Sequence, residues 1–184
     1  RGVDIVVITR LELDGDIASF LLGDVNKDTV NQFKDKFKIY RPFAKKKDKF
    51  RNNYYGGILE GWNQLPTSGD YCIITKSLKD VMSLYSIGIS SIAVRSETTL
   101  LSNNAFNLLK ERFKKIVVNY DFDYTGVKSA NKVRKTFDIQ PIFLTNGRFR
   151  SVDYKAKDIS EYIQNNGLEK TKELIKEMYN NHLI

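Results

Sequence analysis

The spacing of apolar positions changes rhythm near residue 70. Before that point the apolar runs are short and β-rich. Val3–Thr9 and Asp16–Leu22 predict strands, Lys27–Lys36 a short helix, and Lys38-Ile39-Tyr40 a strand ending at Pro42. Together they describe a small α+β unit. Residues 52–69, rich in Asn, Gly, Tyr and Pro, predict an irregular join to the next unit.

From Tyr71 onward, strands and helices alternate. Tyr71–Thr75 is a wholly apolar strand of the kind buried on both faces. Ser77 as N-cap and Asp80 in the first turn open a helix carrying Leu78, Val81, Met82 and Tyr85, which Gly88 stops. Ser91–Arg95 is the second strand. Ser102 or Asn103 caps a helix with Phe106, Leu108, Leu109 and Phe113 on its apolar face. Lys115–Tyr120, a helix from Thr125 to Phe137, and a fourth strand at Ile139–Leu144 follow. Helices near Asp158–Gln164 and Leu168–Asn180 close the chain. This order predicts right-handed βαβ units and a parallel sheet of about four strands flanked by helices. Sites in such sheets lie beyond the carboxyl ends of the strands. Those ends carry Thr75-Lys76-Ser77, Arg95-Ser96-Glu97 and Asp121-Phe122-Asp123.

Composition narrows the function. A 41% hydrophobic content supports a packed core, and no run of about 18 apolar residues predicts a membrane span. One cysteine, Cys72, excludes an internal disulfide and suits a reducing, cytoplasmic compartment. With one Cys and one His, the chain cannot build a four-ligand zinc site of the usual kind. The start, Arg1-Gly2-Val3, lacks an initiator Met and suggests a fragment of a longer protein. The net charge of +8 is concentrated between Lys27 and Arg51, where ten Lys or Arg face three Asp. There, rings and a proline interleave the cations, in Phe37-Lys38-Ile39-Tyr40-Arg41-Pro42-Phe43 and then Lys45-Lys46-Lys47. Cations for phosphates beside rings for bases suit a single-stranded nucleic acid. A solvated charge run is the plainer alternative.

The sharpest chemical signal is Asp121-Phe122-Asp123, followed by Gly126. Two residues apart at a strand end, both carboxylates point the same way and repel unless a cation sits with them. Mg²⁺ or Mn²⁺ would suit such oxygens while keeping waters for a phosphate-bearing substrate. Gly126, opening the next helix, would let a ligand approach the backbone. A solvated aspartate pair capping that helix is the competing reading. Asp158 and Glu161 form a later acidic cluster in which Asp158 also suits an N-cap.

Lys79-Asp80-Val81 after the first strand, Asp121-Phe122-Asp123-Tyr124-Thr125-Gly126, and Lys157-Asp158-Ile159-Ser160-Glu161-Tyr162-Ile163 together resemble the TOPRIM domain of DnaG-type primases, in particular their phage-encoded relatives. The resemblance covers about residues 70–166. A looser likeness joins Lys38–Phe43 and Lys49–Asn53 to the basic subdomain that precedes TOPRIM in those enzymes. It implies a TOPRIM-like (Rossmann-like) α/β fold in three parts: a basic N-terminal subdomain (1–69), the TOPRIM domain (70–166) and a C-terminal helix (167–184). It also implies RNA primer synthesis on single-stranded DNA from nucleoside triphosphates, with Mg²⁺ or Mn²⁺ as cofactor and a replicative helicase as a candidate partner. On this likeness Asp121 and Asp123 bind metal and Asp158 supports them. Lys38, Arg41, Lys49, Arg51, Asn52 and Lys79 serve nucleotide or template, and Lys45, Lys46 and Lys47 add electrostatic attraction.

Two departures stand out. TOPRIM enzymes carry a glutamate directly after the first strand, and here that residue is Lys76. Either the chain binds nucleic acid without catalysis, or Lys76 contacts a phosphate directly, or Glu97 supplies the missing carboxylate from the neighbouring strand end. An exposed first-turn glutamate is the plainer account of Glu97. The zinc module of such primases is also missing, which predicts weak, poorly selective priming by these 184 residues. A non-catalytic nucleic-acid-binding module is the alternative function, and a TOPRIM nuclease ranks below it.

Overall fold

The computed structural model describes residues 59–182 except 95, 97 and 144–155, together with 5–8, 19–22, 38–40, 45 and 50–52. The chain divides into two compact units, Arg1–Ile58 and Leu59–Ile184.

In the first unit, strands β1 (Ile5–Ile8), β2 (Ser19–Leu22), β3 (Lys38–Tyr40) and β4 (Phe50–Asn52) form an antiparallel sheet in the order β2-β1-β3-β4. β1 and β2 lie within the expected strands Val3–Thr9 and Asp16–Leu22, whose other residues lie outside the described ones, and β3 coincides with the expected Lys38-Ile39-Tyr40. The expected helix at Lys27–Lys36 lies outside the described residues. β4 was not expected, because three residues are too few to show a period-2 pattern. It is defined by pairing with β3, which sets Lys38 opposite Asn52 and Ile39 opposite Arg51.

The second unit holds a five-stranded sheet in the order β5-β7-β6-β8-β9: β5 (Leu59–Glu60), β6 (Gly69–Thr75), β7 (Ser91–Val94), β8 (Phe113–Val118) and β9 (Gln140–Pro141). β6 through β9 pair in parallel, as expected. β5, drawn from the stretch expected to be irregular, adds an antiparallel edge against β7. Helices α1 (Leu78–Ser86), α2 (Asn103–Arg112), α3 (Tyr124–Phe137), α4 (Ile159–Asn166) and α5 (Leu168–His182) complete the unit. Phe113, expected to end α2, instead begins β8, because the helix passes into extended backbone without a loop. Its ring lies against Gly69, where an added Cβ would stand 2.7 Å from it.

The unbroken apolar runs of β6 and β8 follow from burial on both faces. Cys72 and Ile74 of β6 and Val118 of β8 pack with Phe106 of α2 and Val133 of α3. Ile73 and Val117, the alternate positions, pack instead with Leu84, Ile159 and Ile175 of α1, α4 and α5. Neither face meets water, so neither needs polar alternation. Burial pushes the Cys72 thiol up to about 12, and the only cysteine of the chain is a core residue rather than a nucleophile. Among the described residues, no helix is long and apolar enough to cross a membrane.

Candidate active site

The adjacency of β6 and β8 places Lys76 beside Asp121, 45 residues later. Asp121 is almost fully buried, and its Oδ2 accepts a hydrogen bond from the Lys76 ammonium. Lys157 reaches the same oxygen at 2.9 Å and Asp123 Oδ2 at 2.9 Å. Repulsion between the two aspartates is thus relieved by a cation of the chain itself. Lys157 was not among the expected site residues, because in sequence it is one more lysine of a basic chain, directly before Asp158. Its backbone anchors the site too: the Phe122 N–H donates to the Lys157 carbonyl at 2.9 Å.

Asp123 has two duties. It is the N-cap of α3, accepting from the Gly126 N–H at 2.8 Å, so the capping reading is realised alongside the acid pair. Partial burial alone would raise its pKa. The Gly126 N–H and the Lys157 ammonium outweigh that and hold it below the usual carboxylate range. The same two carboxylates raise the pKa of Lys157. Gly126 is explained differently from the expectation. A Cβ there would stand 2.1 Å from the Asp121 carbonyl oxygen, so the space is taken by the chain's own loop, not kept for a ligand.

Behind this pair lies a second acidic node. Asp80, expected as a first-turn residue, is buried. It accepts hydrogen bonds from Ser77 Oγ at 2.6 Å, Ser160 Oγ at 3.0 Å and Thr75 Oγ1 at 3.1 Å. Burial raises its pKa despite those donors. Asp158 caps α4, taking the Glu161 N–H at 2.8 Å, while Glu161 accepts from the Lys157 N–H at 2.6 Å. Asp158 also pairs with Lys79 at 2.8 Å. Burial would raise the Asp158 pKa, but the Lys79 ammonium and the Glu161 N–H bring it below normal. Lys79 is correspondingly raised against the opposing effect of burial.

The structure therefore brings Lys76, Asp121, Asp123 and Lys157 together, and ties Lys79 and Asp158 to one another beside them. Among the described residues, no group of three or more His, Cys, Asp or Glu gathers around one point. Glu97, Arg41, Lys46, Lys47 and Lys49 lie outside the described residues, and Lys45 is exposed in the first unit. Lys38, Arg51 and Asn52 lie on its paired strands β3 and β4.

Two carboxylates, with no third beside them among the described residues, suit a cation that completes its coordination with water and phosphate oxygens, as Mg²⁺ does. Asp121 Oδ1 supports this fit. It is buried, and among the described residues no hydrogen bond reaches it. Lys157, about half exposed, is the ammonium such a cation would displace.

Residues 73–163 match the family described as Toprim-like, and this α/β unit is accordingly a Toprim-like domain. Its fold is that of DnaG-type primase catalytic cores. The chain resembles the zinc-binding and RNA polymerase domains of the Aquifex aeolicus primase, with a TM-score of 0.59 and 23% identity over 77% of this chain and 36% of that one. It is similar to the primase fragment of the bacteriophage T7 primase-helicase, with a TM-score of 0.54 and 14% identity over 77% of this chain and 56% of that one. A third likeness is to the catalytic domain of a DnaG primase bound to single-stranded DNA, with a TM-score of 0.56 and 18% identity over 78% of this chain and 47% of that one. The chain thus spans between about a third and just over half of these proteins. No curated protein matches the sequence closely enough to count as a relative.

Proposed function

We propose that the chain carries the catalytic centre of a primase, joining ribonucleotides on a single-stranded DNA template. The observation that carries this reading is Asp121 and Asp123 converging on one cation at the carboxyl end of β8, within a Toprim-like domain. Asp121 and Asp123 are the residues to hold Mg²⁺ or Mn²⁺. Bound there, the metal supplies positive charge for the triphosphate and lowers the pKa of the attacking 3′-hydroxyl. The chain's own residues do the rest. Lys76, fixed on Asp121, and Lys157, released from the pair, present ammonium groups to the triphosphate as pyrophosphate leaves. Lys79 stays with Asp158 and stiffens the rim. Lys38, Arg41, Lys45, Lys46, Lys47, Lys49, Arg51 and Asn52 are the proposed contacts to template or nucleotide. Glu97 remains a proposed further carboxylate. The single-stranded DNA held by one similar catalytic domain and the helicase joined to another make template and helicase the partners to test first.

Primer synthesis from labelled ribonucleotides on single-stranded DNA, with Mg²⁺ or Mn²⁺, tests the reading. Asp121→Asn and Asp123→Asn are expected to abolish product while leaving DNA binding intact. The Lys76–Asp121 pair favours a second reading, a non-catalytic DNA-binding module whose acid is neutralised for good. That reading predicts no primers from the parent. If Glu97→Gln binds Mn²⁺ and extends primers like the parent, Glu97 has no place at the metal.

A further inference from the structure

Helix α3 leaves the acid pair carrying Lys128, Lys132, Arg134 and Lys135 and no acidic residue. The dipole of α3 accounts for Arg134 and Lys135 in its last turn, but not for Lys128 and Lys132. An ordinary solvated helix mixes its signs, as α5 does with Glu169, Lys170, Lys172, Glu173, Lys176 and Glu177. Among the described residues, Lys128, Lys132 and Lys135 form no ion pair. They are exposed and, with Asn131 and Thr98, line a groove of about 630 Å³ that begins at Tyr124.

Tyr124 follows Asp123 directly and is 82% exposed. Lys128 stands over its ring at 6.0 Å, so ring and ammonium share one face. From Tyr124 to Lys135 the helix advances about 16 Å, room for a few nucleotides. An open ring at one end and cations one turn apart behind it suit unstacked bases on a phosphate backbone. A duplex, whose bases already stack on one another, has no use for the ring.

We propose that this face of α3 is a track for single-stranded nucleic acid, with Tyr124 stacking on the base nearest Asp121 and Asp123, and Lys128, Lys132 and Lys135 binding successive phosphates. The track deepens the primase reading and rests on it only for the nature of the site at its head.

The test is binding of a fluorescent thymidine oligonucleotide to the full chain without metal, read by anisotropy at several salt concentrations. The variant Lys128→Glu, Lys132→Glu, Lys135→Glu is compared with Lys170→Glu, Lys172→Glu, Lys176→Glu, which removes the same charge from α5. The α3 variant is expected to bind at least about tenfold more weakly than the α5 variant. Its salt slope should be shallower by about 2, from three phosphate contacts at roughly 0.7 each. Tyr124→Ala is expected to weaken binding about tenfold and Tyr124→Phe not at all. Glutamine at the same three lysines serves if the reversal unfolds α3. Equal losses in the α3 and α5 variants overturn the track, as does a parent that does not bind the oligonucleotide. Unchanged binding by Tyr124→Ala overturns the stacking. A parent that binds through α3 but makes no primers supports the track and sinks the primase reading instead.

Discussion

Asp121 concentrates the chemistry of the site in one residue: one oxygen between two ammonium groups, the other buried without a hydrogen bond among the described residues. If the cation binds where Lys157 now sits, Lys157→Ala removes a competitor. Mn²⁺ affinity, followed by electron paramagnetic resonance, is then expected to rise about tenfold while primer synthesis falls. Unchanged or weaker Mn²⁺ binding would place the metal elsewhere. Gly126→Ala tests the loop beneath the same residue. The methyl group meets the Asp121 carbonyl, a backbone atom that cannot rotate away, so a loss of about 1–3 kcal/mol is expected in urea unfolding, with weaker Mn²⁺ binding.

Between elements, two carboxylates join α1 to α4 with opposite responses to acid. Asp80 binds hydroxyls from the end of β6, the cap of α1 and the first turn of α4. Asp80→Ala leaves these donors without their acceptor, and a cost of about 2–4 kcal/mol is expected in denaturant unfolding. Asp158 has a depressed pKa in the folded chain, so folding releases its proton. Its stabilisation is complete above the ordinary carboxylate pKa and lost as pH falls through the lower folded value. Asp80, with a pKa raised by burial, works the other way: folding takes up its proton, so the cost of burying its charge is relieved as pH falls through the raised folded value. In urea unfolding between about pH 5 and 2.5, Asp158→Asn, which keeps a capping oxygen, is expected to lose less stability on acidification than the parent. An identical pH slope for the two would show that the Lys79 pair contributes nothing to folding.

At the scale of these 184 residues, one Cys and one His are too few for a four-ligand zinc site of the usual kind. Primers made by these 184 residues are therefore expected to start without sequence preference, as mapping of 5′ ends on varied templates would show; a single dominant start site contradicts this. Much of the second unit was legible beforehand, because its signals are local. The apolar runs of β6 and β8, the Ser77 cap, and an Asp-x-Asp at a strand end depend on neighbours a few residues away. β4 and β5 were not legible: two or three residues carry no period, and only a partner strand makes them strands. Asp121 and Asp123 were found from sequence as an acid pair seeking a cation, and that much the sequence determined by itself. Which cation answers them was decided by tertiary structure. β7 follows β6 in the chain but leaves the other edge of β6 to β8, and this crossover sets Lys76 against Asp121. The backbone bond from Phe122 to Lys157 then delivers Lys157 across a gap of more than thirty residues. Local patterning fixes where a side chain sits along its own element, whereas contacts between elements follow from strand order and packing, which no short stretch of sequence encodes.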